Sequence, residues 1–218
     1  MNQKQIFNFL GELSQNNHKE WMDENRSRYL EAKQNFEELI GVLLAGLVKI
    51  EPELGGITPK NCIFRINRDI RFSKDKSPYK NNFGAFISED GKKSLSPGYY
   101  LHMQPGESFL AGGMYMPPGD QLKKIRQEID YDYAGLKEIV ESQEFISFFD
   151  KLQGEKLKKA PQGYPVDHPN IEALKLKSYI VMHRLKDETL LQTDFPDYAI
   201  KVFEAIKPLN DWLKVAVS

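Results

Sequence analysis

Residues 83–116 read FGAFISEDGKKSLSPGYYLHMQPGESFLAGGMYM, and this stretch decides the fold class. It breaks into three apolar and aromatic runs, Phe83–Ser88, Tyr99–Gln104 and Ser108–Met116. Between them lie a polar loop, Glu89–Pro97, and a tight turn at Pro105-Gly106-Glu107. Short runs of this composition bounded by Gly, Pro and Ser read as strands. Connections this short join antiparallel neighbours, because a parallel pair needs a long crossover.

Upstream, Cys62, Phe64, Ile66, Ile70 and Phe72 alternate with Ile63, Arg65, Asn67, Asp69 and Arg71, which predicts a further strand with one apolar and one polar face. Arg68 interrupts the apolar side, so a bend or bulge is expected near Asn67 and Arg68. Helical spacing takes over outside the strands. Ile6, Phe9, Leu10 and Leu13 define a helix over Gln3–Leu13. Asn16 or Asn17 is the expected cap of a second helix, with Glu20 at its third position if Asn17 caps. That helix is predicted to carry Trp21, Asn25, Tyr29, Phe36, Ile40, Leu43 and Leu47 to about Ile50, with Trp21 a core residue.

Downstream, Pro117-Pro118-Gly119 stops the sheet and Asp120 is placed to cap a helix with Leu122, Ile125 and Ile129. Leu136, Ile139 and Val140, then Phe145, Phe148, Phe149 and Leu152, mark two more helical faces. Lys156–Tyr164 reads as extended, His168-Pro169 as the opening of a short helix, and Ser178–Leu185 as a late strand. Ala199, Val202, Phe203 and Ile206 face a core, and Pro208 is expected to start a new turn. The expected fold is α+β: a central antiparallel sheet of about four or more strands packed by N- and C-terminal helices. With 218 residues and no linker or repeat, a single domain over 1–218 is the expectation.

Net charge is −1, so no global field draws the molecule to nucleic acid or an anionic membrane. The longest apolar stretch, Leu39 to Val48, is far shorter than the ~20 residues of a bilayer span, so no membrane partner is expected. A single cysteine, Cys62, excludes an internal disulfide and suits a reducing compartment, with the cytoplasm as the default. Cys62 falls on the apolar side of its segment, where an inert core thiol is expected.

Charge is concentrated in one place. Between Lys60 and Lys80, KNCIFRINRDIRFSKDKSPYK holds seven cations against two anions, a local net charge of +5. Such segregation points to an anionic partner, because guanidinium groups match carboxylate and phosphate oxygens in bidentate fashion. The candidate ligand-binding residues are Arg65, Arg68, Arg71, Lys76, Tyr79 and Lys80. On an extended strand Asp69 would orient both Arg65 and Arg71, Lys74, Lys76 and Lys80 would close over the ligand, and Tyr79 would offer its phenol at the mouth. The bland alternative makes Arg68 a salt-bridge partner of Glu20 or Asp69 and the rest a solvated face.

If the chain is catalytic, Asp69, Asp75 and His102 are the first acids or bases to test. His102 lies between Tyr100 and Gln104 on one strand face, where a half-exposed structural histidine is the commoner outcome. His18, His168 and His183 have no metal-ligand spacing, so no metal site is expected. The chain lacks G-x-S-x-G, Walker and G-x-G-x-x-G motifs, and no cofactor is indicated. Gly112-Gly113 within a strand reads as a bulge or close backbone approach.

Several of these blocks together resemble the bacterial and fungal family called domain of unknown function 2461. The resemblance is carried by Asn16-Asn17-x-x-Glu20-Trp21 with Asn25-Arg26 and Tyr29, and by Arg65-x-x-Arg68-Asp69-x-Arg71-Phe72-Ser73-x-Asp75-Lys76-x-Pro78-Tyr79-Lys80. Tyr99-Tyr100-Leu101-His102, Pro105-Gly106-Glu107, Gly112-Gly113, Ala160-Pro161-x-Gly163-Tyr164, Asp167-His168-Pro169 and Lys177-Ser178 complete it. Met22 departs from the family's usual Phe. The resemblance implies one compact domain over nearly the whole chain and directs attention to residues 65–80. It names no activity, cofactor or catalytic residue.

Three readings follow. The leading one is a site for a small anionic, phosphate-bearing ligand at the basic segment. The second is a nucleic-acid-binding module with Phe72, Tyr79 or Phe83 stacking on bases. The third is a structural or interaction protein in which the Arg/Asp motif is an ion-pair network.

Overall fold

The structure, a computed structural model, describes residues 2–218. Its sheet has four antiparallel strands in the order β1-β2-β3-β4: β1 Phe83–Ile87, β2 Gly98–Met103, β3 Phe109–Met114 and β4 Tyr179–Arg184. The fold class is therefore α+β, with all three runs of the 83–116 stretch and the late strand in place. No helix among the described residues is long and apolar enough to cross a membrane.

The chain gathers into two compact units. The first comprises residues up to Lys92, Tyr100–Leu110 and Arg184–Ile200. Here α1, Gln3–Gln15, is capped by the Asn2 side chain and buries Ile6, Phe9, Leu10 and Leu13 along one stripe. Then α2, Lys19–Glu24, is separated from α3, Arg26–Leu47, by a break at Asn25. Asn25 fills that break by donating its side-chain amide to the Trp21 carbonyl at 2.9 Å and accepting from Arg28 at 2.9 Å. The expected continuous helix is thus two. The Phe83 ring of β1 stacks at 5.3 Å on Phe36 of α3 and at 6.4 Å on Phe9 of α1, with Trp21 5.8 Å from Phe9. A short helix, α4, spans Pro59–Cys62.

The second unit comprises Lys93–Tyr99, Ala111–His183 and Lys201–Ser218. Three short helices follow the sheet: α5 Gly119–Tyr131, α6 Tyr133–Glu141 and α7 Gln143–Phe148. Asp132 and Ser142 cap the second and third through the amides of Gly135 and Phe145. At α5 the position before the helix is Pro118, and Asp120 sits inside the first turn, where its charge meets the positive helix end. The remaining helices are α8, Ile171–Leu174, then α9, Asp187–Leu190, in the first unit, and α10, Phe195–Val217. Residues 153–156 are extended, with isolated bridges to Ile180 and Leu176. Gly113 has φ of +105°, and a Cβ there would stand 2.1 Å from the Tyr179 carbonyl oxygen, so β3 approaches β4 as closely as only glycine permits.

Two further expectations fail for clear reasons. Pro208 lies inside α10 and starts no new turn. A helix-interior proline costs ~3 kcal/mol or more. Val202, Phe203, Ile206, Leu209 and Leu213 form one buried stripe across it, and each such side chain is worth about 1.5–3 kcal/mol, so the helix continues. The other failure is the 62–72 strand. Ile63 bridges Ala85 and the Phe64 amide donates to the Gly84 carbonyl at 2.9 Å, but pairing with β1 stops there. Beyond it, the chain pairs with its own return, and Pro78, which has no N–H, prevents a regular ladder.

Candidate functional site

The basic segment folds back on itself as an irregular ribbon in the first unit. Asn67 bridges Tyr79, the Lys80 amide donates to the Ile66 carbonyl at 2.8 Å, and the Arg68 amide donates to Pro78 at 2.9 Å. Asn17 locks the returning strand. Its side-chain N–H donates to the Tyr79 carbonyl at 3.0 Å, and its side-chain oxygen accepts from the Tyr79 amide at 3.1 Å. The same amide also donates to Asn81 at 2.8 Å. Committed there, Asn17 does not cap α2. His18 does, accepting from the Trp21 amide at 3.4 Å, while its ring also meets Glu20 at 3.1 Å.

At the tip of the ribbon the cations find partners within the loop. Arg68 pairs with Asp75 and neither Glu20 nor Asp69. Asp75 also accepts from the Ser77 hydroxyl at 2.6 Å and amide at 2.9 Å, and the Ser77 and Arg68 donors hold its carboxyl far below the usual carboxylate range. Arg71 forks onto Asp69 at 2.9 and 2.6 Å, which lowers the Asp69 pKa. Arg65 acts on Asp69 only at longer range. Lys76 Nζ donates to the Ile70 carbonyl at 2.9 Å. Phe72 is 95% exposed beside Arg71. Tyr79 and Phe83 are buried in the core, so of the three rings named for base stacking only Phe72 is open. The Tyr79 ring does not stand at a solvent mouth.

A second group forms on the face of β2 opposite the core. Tyr99, Leu101 and Met103 are buried inward, while Tyr100 and His102 point the other way and are half-buried. The His102 ring lies flat on Phe109, centroids 4.6 Å apart. Its Nε2 faces the Gln104 side-chain oxygen at 3.1 Å, and Gln104 in turn donates its amide to Glu107 at 2.7 Å. The Gln104 oxygen can only accept, so Nε2 carries the hydrogen. Nδ1 is then an acceptor for the Tyr100 hydroxyl at 3.3 Å and the Asn82 amide at 3.4 Å. Burial lowers the His102 pKa and pushes the Tyr100 phenol up to about 12. Gly84 of β1 admits that phenol, since a Cβ there would lie 2.5 Å from the Tyr100 oxygen.

Lys80 joins this group. Its ammonium lies 5.6 Å from the Phe64 ring centroid, and Phe64 meets Tyr100 edge-on at 6.3 Å. Burial first, and then the charge of Arg65, lowers the Lys80 pKa, and the Lys80 charge is felt in turn at His102. Among the described residues neither Lys80 nor Arg65 has a carboxylate at ion-pair distance. The structure therefore divides the candidates. Lys80 and His102 lie with Phe64 and Tyr100, and the Arg65 charge is felt at Lys80. Arg68, Arg71, Lys76, Asp69 and Asp75 brace the loop tip. Phe64, Asn82 and Gly84 escape a reading based on charge, because their roles depend on contacts across the ribbon and the sheet.

Elsewhere, His168 is held by Asp130 at 2.9 Å and accepts from the Asn170 amide, and the His183 ring meets the Phe148 carbonyl. Burial pushes the Cys62 thiol up to about 11, which keeps it inert. No group of three or more His, Cys, Asp or Glu is placed to hold a metal among the described residues.

In comparison with known proteins, the model of the family described as a conserved hypothetical protein (DUF2461) matches residues 5–212. No curated protein and no solved structure matches the chain.

Proposed function

We propose that this chain, which belongs to the DUF2461 family, binds a small anionic ligand, phosphate-bearing or carboxylate, on the sheet-face group of Arg65, Lys80, Tyr100 and His102. The observation that carries the reading is Lys80: a half-buried ammonium over the Phe64 ring that feels the charge of Arg65, with no carboxylate at ion-pair distance among the described residues. Desolvating an unpaired charge is unfavourable, and a like-charged neighbour adds to the penalty. Ionisable groups perturbed in this way are enriched at ligand sites. An anion between Arg65 and Lys80 relieves both terms. Arg65 supplies a permanent planar charge, and Tyr100 and Asn82 supply polar contacts for the ligand's body.

Binding of an anion raises the Lys80 pKa again, so complex formation takes up protons over the pH range in which the free Lys80 ammonium titrates. Titration calorimetry with inorganic phosphate or pyrophosphate, repeated in two buffers of different ionisation enthalpy, reads that uptake. Binding with no buffer dependence, or binding unchanged in Lys80→Met, would overturn the assignment of the anion to this site.

For the loop tip a second reading is favoured by a specific observation, the Arg68–Asp75 and Arg71–Asp69 pairs. In that reading Arg68, Arg71 and Lys76 serve as braces that set the ribbon's shape and leave the ligand to Arg65 and Lys80. A cytoplasmic setting belongs to the same proposal, supported by a free, buried Cys62.

A further inference from the structure

We propose that the tip of the basic ribbon, residues 71–74, is a contact for single-stranded nucleic acid, with Phe72 stacking on a base and Arg71 and Lys74 meeting the phosphates on either side. This contact is separate from the sheet-face group and does not depend on the anion reading above.

Phe72 is 95% exposed, the highest value among the exposed large apolar side chains described. A phenylalanine left in water forgoes the gain of burial, and a slack loop is free to fold it in. This loop is not slack. Arg68 pairs with Asp75, and Asp75 also accepts from the Ser77 hydroxyl and amide. The Ile70 carbonyl accepts from the Ser73 amide at 3.3 Å and from Lys76 Nζ at 2.9 Å. These contacts close the tip on itself and present the ring to solvent.

The cations beside the ring suit a polyanion. Asp69 takes Nε and Nη2 of Arg71, which leaves Nη1 for a phosphate, and the guanidinium lies 5.9 Å from the centre of the Phe72 ring. Lys74 is exposed and has no carboxylate at ion-pair distance among the described residues. Both carboxylates of the tip, Asp69 and Asp75, are already neutralised by arginines. Other exposed aromatic rings lack this setting: Tyr131 stands between Asp130 and Asp132, and Tyr115 beside Met116, Pro117 and Pro118. A duplex keeps its bases stacked on one another, so an open ring selects an unpaired base. An anionic bilayer would seat several apolar side chains, and the tip offers one, because Ile70 is half-buried.

The test is fluorescence anisotropy of the full-length chain with labelled short polythymidine DNA and polyuridine RNA at several salt concentrations. A duplex of the same length and phosphatidylserine vesicles are run beside them. Saturable binding of the single strands is expected, weakening with salt at a log–log slope of about −1.5 to −2, as two or three phosphate contacts give. Phe72→Ala lowers the affinity about tenfold or more and Phe72→Trp restores it, which a purely electrostatic contact would not do. Lys74→Gln weakens both single strands alike and flattens the salt slope. The oligonucleotide should also protect the wild type from chymotryptic cleavage after Phe72, which places it on the tip. Phe72→Ala should keep the melting temperature of the wild type and its response to phosphate, so a lost fold or a lost anion site is told apart from a lost stack. No saturable binding at low salt, or equal binding in Phe72→Ala, overturns the proposal. So does binding to the vesicles in place of the oligonucleotides, which would assign the tip to a membrane surface.

Discussion

Asn17 pairs with Tyr79 through both arms of its side-chain amide, donating to the Tyr79 carbonyl at 3.0 Å and accepting from its backbone N–H at 3.1 Å. One side chain thus does for the 78–80 strand what a neighbouring strand would otherwise do, satisfying both backbone groups of a residue whose ring is buried. The pairing spans 62 positions of sequence and holds the residue directly before Lys80. Asn17→Ala leaves both groups without their partner, and loss of a buried hydrogen-bonding partner costs about 1–3 kcal/mol. Chemical denaturation is expected to show a destabilisation of that size. Asn17→Asp, which removes the donor and faces the Tyr79 carbonyl with a carboxylate, is expected to be at least as damaging.

Gly84 and Tyr100 make the second test. A methyl group on residue 84 would stand 2.5 Å from the Tyr100 oxygen, closer than any real contact, so the phenol must leave its place beside His102. Gly84→Ala is expected to destabilise by about 1–3 kcal/mol, the usual range for overpacking. Tyr100→Phe removes the clashing oxygen, and the double variant should recover part of that loss. A double-mutant cycle measures the coupling; strictly additive effects would mean that the phenol does not occupy this position.

At the loop tip, Arg68→Ala and Asp75→Asn each remove the same brace. Both are expected to speed chymotryptic cleavage after the exposed Phe72 while leaving the denaturation midpoint nearly unchanged, because only a local segment opens. The double variant should be cleaved no faster than either single one. The phosphate-induced thermal shift should persist in all three, and its loss in Arg68→Ala would return that guanidinium to the ligand.

The sheet was legible because each of its strands carries its own apolar run and its own turn residues, so residues 83–116 specify their pairing locally. The 62–72 segment was not, although its alternation is genuine: an extended chain alternates whether or not a ladder forms beside it. What ended its pairing with β1 was contact with residues 78–80, held in turn by Asn17 from the N-terminal region. The same displacement explains the cap, since an asparagine used by Tyr79 leaves His18 to start α2. Charge density located the basic segment. It could not tell a cation already neutralised, such as Arg71 on Asp69, from one left beside another cation, such as Lys80 near Arg65.

His102 gives a pH signature. Burial lowers its pKa from the ordinary 6.5, so the unfolded chain binds more protons than the folded one as pH falls through that value. Its contribution is fully present above pH 6.5 and is lost as pH drops toward the folded pKa. Stability is therefore expected to decline on acidification below that point, before the carboxylates titrate, and to decline less in His102→Gln. Nitrogen chemical shifts should show His102 less protonated than a free histidine at the same pH, with the hydrogen of its neutral form on Nε2.

Lys80→Met separates a binding residue from a structural one. A cation held for architecture sits with its counter-charge, and its removal destabilises the fold, as expected of a paired residue such as Arg28 on Glu12 at 2.5 Å. Lys80 has no such counter-charge at ion-pair distance among the described residues, and both burial and Arg65 disfavour its charge. Methionine keeps the unbranched stem over Phe64 and removes the charge, so the melting temperature is expected to rise. The same variant should lose the stabilisation that phosphate confers on the wild type by native-state binding. A lower melting temperature with ligand stabilisation intact would assign Lys80 to the scaffold. A higher one with that stabilisation gone is the combination expected when fold stability has been given up for a site.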